Sequence, residues 1–175
     1  YLIDMTEKEF INDIETATKI FNEKLGYLPP IFSYPFGEYS SYMKNYTSKN
    51  FKIAFGQHSG VIDINKDKFE LPRFPINEKY GELKRFKSII NYFPLEYKKI
   101  LPEEKQLFKN TNPPEFKVEF FKEQKNLNNI NCYSNEGDKW KKSKTKFSNN
   151  TLTIEFREPF KPRRGRINCS LNDNG

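Results

Sequence analysis

The sequence predicts an α/β fold with parallel strands, followed by a small antiparallel β module. Three observations carry that prediction. Short apolar runs near residues 31–34, 51–55 and 70–74 alternate with stretches of helical periodicity as far as Tyr92. The composition changes after Pro94, and Pro102 and Asn112-Pro113-Pro114 read as a linker. Beyond that point long helical periodicity gives way to alternation, in Phe116-Val118-Phe120 and in Leu152-Ile154-Phe156. The expected domains are residues 1–110 and 111–175.

The first helix is expected from Thr6 to Leu25. Thr6-x-x-Glu9 has the form of a capping box, and Met5 and Phe10 are placed for a hydrophobic staple. Phe10, Ile11, Ile14, Ala17, Phe21 and Leu25 recur at helical spacing and predict one buried stripe. Gly26 is placed to end the helix, and Pro29 and Pro30 prevent its continuation. Ile31 to Tyr34 suits a buried strand, which Pro35-Phe36-Gly37 stops abruptly. A second helix follows over about Ser40 to Ser48, with Met43 and Tyr46 inward. Phe51 to Phe55 reads as a strand leading into the loop Gly56-Gln57-His58-Ser59-Gly60, and Glu70 to Phe74 as a third strand. Glu82 to Tyr92 is helical, with Leu83, Phe86, Ile89, Ile90 and Phe93 on its apolar side. In the later module, turn-rich stretches at Ser134 to Asp138 and Ser148 to Asn150 separate the strands.

A chain of 175 residues is long enough for one domain, or for one with a small appendage. Tyr1 is not a natural translation start, so the expectation is a soluble piece cut from something longer. No secretory leader is visible, and no run approaches the roughly 20 apolar residues of a membrane helix. The net charge is +7. The basic residues are mostly lysines scattered among Asn, Ile and Phe, which reads as compositional bias rather than as a binding face. Only Lys161 to Arg166 is densely basic, and no aromatics interleave with it, so nucleic acid is not the expected partner.

The two cysteines, Cys132 and Cys169, form no CxxC motif and have no histidine cluster, which argues against a zinc site built on them. Each lies two residues after an isoleucine, in a short stretch of strand character. Two outcomes stay open. If the stretches pair, a disulfide is possible and points to the periplasm, cell envelope or secretion. Otherwise the protein holds two buried free thiols, as a cytoplasmic protein would.

In a parallel α/β layer, functional residues gather where strands end. Three strand ends carry chemistry. After the first strand, a proline and a glycine flank Phe36, a pattern that brings a backbone N–H to the surface where it can stabilise an oxyanion. An ordinary strand-to-helix turn is the plainer alternative. After the second, the one histidine of the chain, His58, sits between glycines. A surface or packing role is its plainer reading. Ser59 beside it does not make a nucleophile–base pair. After the third, Arg73 stands between Pro72 and Pro75, held stiffly enough to pair with a carboxylate or an anionic substrate. A structural ion pair is the alternative.

These stretches in this order resemble the second half of the NodB-homology polysaccharide deacetylases. Residues 32–40 look like the family's third motif, R-x-P-[YF]-G. The segments FGQHSGV and LPRFPINEKYGELKRF resemble the loops and helix that follow in one bacterial branch. The resemblance covers roughly residues 1–95, and NPP, Cys132 and RINCS look like the cysteine-containing β-rich tail of that branch.

The resemblance implies part of a deformed (β/α) barrel and removal of N-acetyl groups from an N-acetylated polysaccharide or oligosaccharide. It implies a divalent metal, usually zinc, in the complete enzyme. The family's ligands, an Asp and two His, come from T-F-D-D-G and H-x-x-x-H motifs that this chain lacks; they are expected upstream of Tyr1, so this chain alone is expected to bind no metal. Phe36 matches the aromatic whose backbone N–H holds the tetrahedral intermediate, with Tyr34, Pro35 and Gly37 as substrate-binding neighbours. Ser33 stands where the motif has Arg, and Arg73 is the expected replacement. His58 is a candidate general acid, although it lies outside the family's L-x-H pattern. The competing reading is a non-catalytic glycan-binding or scaffold protein that uses Tyr133 and Trp140.

Overall fold

The computed structural model describes residues 4–137, 139–161 and 163–171. Asp138 of the expected turn and Pro162 of the basic cluster lie outside the described residues. The chain divides into two compact units, Tyr1–Pro94 and Leu95–Gly175.

The first unit opens with α1, Glu7–Leu25, whose capping box is complete. The Thr6 hydroxyl accepts from the Glu9 N–H at 3.3 Å, and the Thr6 N–H donates back to the Glu9 carboxylate at 2.8 Å. Gly26, at φ 77°, ends the helix in the left-handed conformation that a side chain would resist. Two short strands follow, β1 (Ile31–Ser33) and β2 (Ile53–Phe55), joined by α2 (Ser41–Asn50). The Ser40 hydroxyl caps α2 by accepting from the Met43 N–H. β1 and β2 pair in parallel, Phe32 opposite Ala54. The third expected strand shrinks to one parallel bridge, Phe55 to Leu71, with hydrogen bonds from Ala54 to Lys68 O and from Leu71 to Ala54 O. The prolines at 72 and 75 explain the shortening, since each removes a ladder donor. The last element of the unit is α3, Leu83–Ile89, shorter than expected at both ends.

The core of this unit is Phe10, Ile14, Tyr34, Met43 and Ala54. The apolar stripe of α1 is therefore buried only over its first half: Ala17 and Leu25 are exposed. The apolar side of α3 is uncovered as well, with Leu83, Phe86, Ile90 and Phe93 all exposed.

The second unit holds β3 (Lys99–Leu101), β4 (Phe116–Glu119), β5 (Ile130–Asn135), β6 (Lys141–Lys142), β7 (Lys144–Ser148), β8 (Thr151–Glu155) and β9 (Arg166–Leu171). They form two antiparallel sheets in the orders β3-β4-β8-β7 and β6-β5-β9. One hydrophobic cluster takes Val118, Leu152 and Ile154 from the first sheet and Ile130 and Cys132 from the second, so the sheets pack face to face. Each such side chain contributes roughly 1.5–3 kcal/mol when fully buried. Residues 95–110, expected with the first domain, lie in this unit because β3 pairs with β4. Asn112 is a clamp rather than a linker residue. Its amide donates to Phe160 O and accepts from Phe160 N–H, each at 2.8 Å. Among the described residues no sheet closes on itself, and no helix is long and apolar enough to cross a membrane.

Candidate functional site

Because β1, β2 and the Leu71 segment run in parallel, their C-terminal ends lie at one edge, and the three loops singled out from sequence meet there. Backbone hydrogen bonds tie them together. Tyr34 N–H donates to Phe55 O at 3.0 Å, Gly56 N–H to Leu71 O at 2.9 Å, and Arg73 N–H to His58 O at 3.0 Å. Gly37 is where the first loop touches the second. A Cβ there would lie 2.3 Å from the Gln57 Cβ and 2.6 Å from its backbone N, and φ is +69°. Both facts require glycine.

Phe36 is the strained residue of the group. It adopts φ 58°, ψ 5°, a left-handed conformation that costs a non-glycine residue about 1–3 kcal/mol and that gathers at functional sites. Its ring is 52 % exposed. In the same turn the N–H groups of Gly37 and Glu38 are committed to Tyr34 O and Pro35 O, and Pro35 has no N–H. Arg73 and His58 are exposed and share the backbone bond just described. Pro35 is exposed beside Phe36, whereas Tyr34 turns inward at 1 % exposure. Its ring stacks on Tyr39 at 4.7 Å and meets Phe32 edge-on, so it supports the turn from beneath.

Under these loops lies a charged cluster that sequence reasoning missed. The Lys44 ammonium, carried by α2, contacts Asp67 at 2.8 Å and Glu70 at 3.0 Å, and the Tyr39 hydroxyl donates to the same Glu70 oxygen at 3.3 Å. Burial works to lower the Lys44 pKa, but its bonds to Asp67 and Glu70 outweigh that and hold it above its ordinary value. Burial likewise works to raise Asp67, and the Lys44 bond and the Phe69 N–H hold it below. Burial and the neighbouring Glu70 push the Tyr39 phenol up. Burial pushes Tyr34 up to about 12, against the opposing pull of Thr47 and Lys44. The partners of Lys44 lie more than twenty residues away, at no helical or strand spacing. The only sequence signal was two acids at the start of the third expected strand.

Comparison of the chain with family models, with curated proteins and with solved structures finds no match. The site must therefore be read on its own chemistry. It offers a strained turn, a guanidinium and an imidazole on one backbone-linked surface. It offers no metal-binding set: among the described residues no three His, Cys, Asp or Glu side chains converge. The Asp-His-His set implied by the resemblance does not fit the residues present.

The second unit carries a polar cluster of its own, also missed from sequence. Glu136, only 3 % exposed, receives the Arg157 guanidinium at 2.5 Å and the Ser134 hydroxyl at 3.1 Å, and Ser143 donates to Ser134 at 2.9 Å. Burial works to raise the Glu136 pKa, but Arg157 first and Ser134 after it hold it below its usual value. Every member is hydrogen-bonded within the sandwich, as a structural network is. Cys132 and Cys169 sit directly opposite each other on β5 and β9, Cα atoms 4.1 Å apart, and form a disulfide.

Proposed function

We propose that the chain is the C-terminal part of a NodB-homology polysaccharide deacetylase, a hydrolase that removes N-acetyl groups from amino-sugar glycans. The observation that carries this reading is the meeting of the three motif loops at the C-terminal ends of parallel strands, the edge where (β/α) barrels place their chemistry. On this reading β1, β2 and the Leu71 segment are part of a deformed barrel. The Phe36 turn supplies the backbone donor to the tetrahedral oxyanion. Arg73 holds a carboxylate of the catalytic centre, and His58 lies beside the leaving group. The metal ligands come from residues outside these 175. The disulfide supports a place outside the cytosol, where envelope glycans are found.

The test is the longer protein read from the coding sequence ahead of Tyr1. That sequence should contain an Asp-Asp strand end and an H-x-x-x-H motif. The longer protein should release acetate from N-acetylglucosamine oligomers and lose this activity to a chelator, and Arg73→Ala should lower kcat at least about tenfold. The 175-residue chain alone should release none. Upstream sequence without those motifs, or chelator-sensitive acetate release from the short chain, would sink the reading.

A further inference from the structure

The two sheets of the second unit present outward faces of opposite electrostatic character. On β3-β4-β8-β7 three of the outward lysines are neutralised. Lys99 pairs with Glu103 at 2.6 Å, Lys117 with Glu115 at 2.5 Å, and Lys146 with Glu155. This is the mixed-sign surface of an ordinary solvated sheet. On β6-β5-β9 the strand register places Tyr133 between Lys142 and Asn168, with Asn135 opposite Arg166 in the next outward row. None of the outward positions of these three strands is acidic. Lys142 and Arg166 make no ion pair among the described residues. Tyr133 is 44 % exposed, although its neighbours Cys132 and Ser134 are fully buried on the other face. Trp140, one residue ahead of β6, is 46 % exposed.

We propose that this outward face of β6-β5-β9 is a second binding surface, and that it takes an acidic glycan, with sugar rings on Tyr133 and carboxylates on Lys142 and Arg166. The choice of a glycan rests on the proposed function, and the surface names the class of glycan more narrowly than that reading does. The chemistry fits sugars in three ways. A pyranose presents one face of C–H groups, and an exposed aromatic ring is the side chain that packs against it while staying soluble. Sugar hydroxyls are donors and acceptors at once, and the amides of Asn135 and Asn168 offer both. A guanidinium grips a carboxylate through two parallel hydrogen bonds, which a neutral sugar cannot reward. A single-stranded nucleic acid is the lesser fit, because its affinity comes from many phosphate contacts and this face has two cations in register.

The test uses the 175-residue chain, with Trp140 fluorescence and calorimetry as readouts, at about 0.15 M salt. Polygalacturonate should bind, and dextran and oligo(dT) should bind at least about tenfold more weakly. Tyr133→Ala should weaken polygalacturonate binding by about tenfold, Tyr133→Phe should preserve it, and Arg166→Gln should weaken it while flattening its salt dependence. No binding to polygalacturonate, equal binding to oligo(dT), equal binding to dextran, or full binding by a folded Tyr133→Ala each overturns the proposal. The assay needs no deacetylase activity. Binding without acetate release from the longer protein would remove the enzyme reading and leave this surface standing. Acetate release without binding would do the reverse.

Discussion

In residues 95–171 every strand is paired, and the exposed edge β7 carries Lys144 and Lys146, which discourage further pairing. A disulfide staples β5 to β9 within one sheet, and a buried Glu–Arg pair links the two sheets. In residues 4–94 the sheet has two short strands and one bridge, β1 has a neighbour on one side, and Ile64 and Phe93 are 92 % and 90 % exposed. The two units have similar lengths. They differ in where their order comes from. The second pairs each of its described strands and packs one core between two sheets. The first is ordered by a capping box and a long-range charged cluster around a core of a few side chains. On the proposed reading, the rest of a barrel would cover this layer.

The contrast predicts that the units unfold by different rules, and the chain supplies a probe for each. Its single tryptophan, Trp140, lies in the second unit, and the three α-helices among the described residues lie in the first. The largest expected effect is on the disulfide. Replacing Cys132 and Cys169 by serine reopens a loop of sequence separation 37, worth ~4 kcal/mol in the chain-entropy treatment. The Trp140 denaturation midpoint should fall accordingly while the helical circular dichroism transition stays in place. A shift of both transitions together would mean that the units unfold as one, and the comparison would fail.

Next in size is Glu136→Gln. The substitution keeps the shape of the side chain but leaves the Arg157 guanidinium facing a neutral amide. Removing one partner of a buried pair costs about 3–5 kcal/mol, and Arg157 keeps some solvent contact, so about 3 is expected. The pH response has a definite sign. The folded pKa of Glu136 lies below its ordinary 4.5. Its stabilisation is therefore present above that value and lost as pH falls through the folded pKa. The wild-type Trp140 transition should weaken on acidification from about pH 5 downward, and the Glu136→Gln protein should show less of this slope. An identical slope in both would show that other groups set it.

What the sequence revealed and what it hid follow the range of the interactions. The capping box at Thr6 and Glu9, the glycine stop at Gly26, and the strand alternation of 116–120 and 152–156 are local, and each appears in the structure. The three loops of the candidate site were also visible, because Pro35-Phe36-Gly37 and the glycines around His58 mark sharp turns by themselves. Their convergence followed from parallel pairing. Hidden were contacts between distant residues of unremarkable type: Lys44 with Asp67 and Glu70, Glu136 with Arg157, Asn112 with Phe160. The burial of α1 was overestimated because periodicity identifies an apolar stripe but not the length of the partner that covers it. Only Phe10 and Ile14 are buried.

The smallest predicted effect tests the first unit. Lys44→Met keeps the length of the side chain and removes its charge, so Asp67 and Glu70 face one another without a cation between them. The cluster keeps partial contact with water, since the Lys44 side chain is 24 % exposed and that of Asp67 37 %. The cost is then well below that of a fully buried pair, ~2 kcal/mol, read from the helical circular dichroism transition. Two pH limbs accompany it. Asp67 has a folded pKa below its ordinary 3.8, so its contribution is present above that value and is lost as pH falls through the folded pKa. Lys44 has a folded pKa above its ordinary 10.5, so its contribution is full below that value and is lost as pH rises through the folded pKa. The wild-type first unit should thus hold a plateau between those limbs, and Lys44→Met should lower the plateau and blunt both. The 67–70 turn leads directly into the Leu71 bridge and Arg73, so the same variant should loosen the candidate site, seen as faster amide exchange at Arg73 N–H. Unchanged exchange at Arg73 alongside the loss of stability would separate the charged cluster from the site above it.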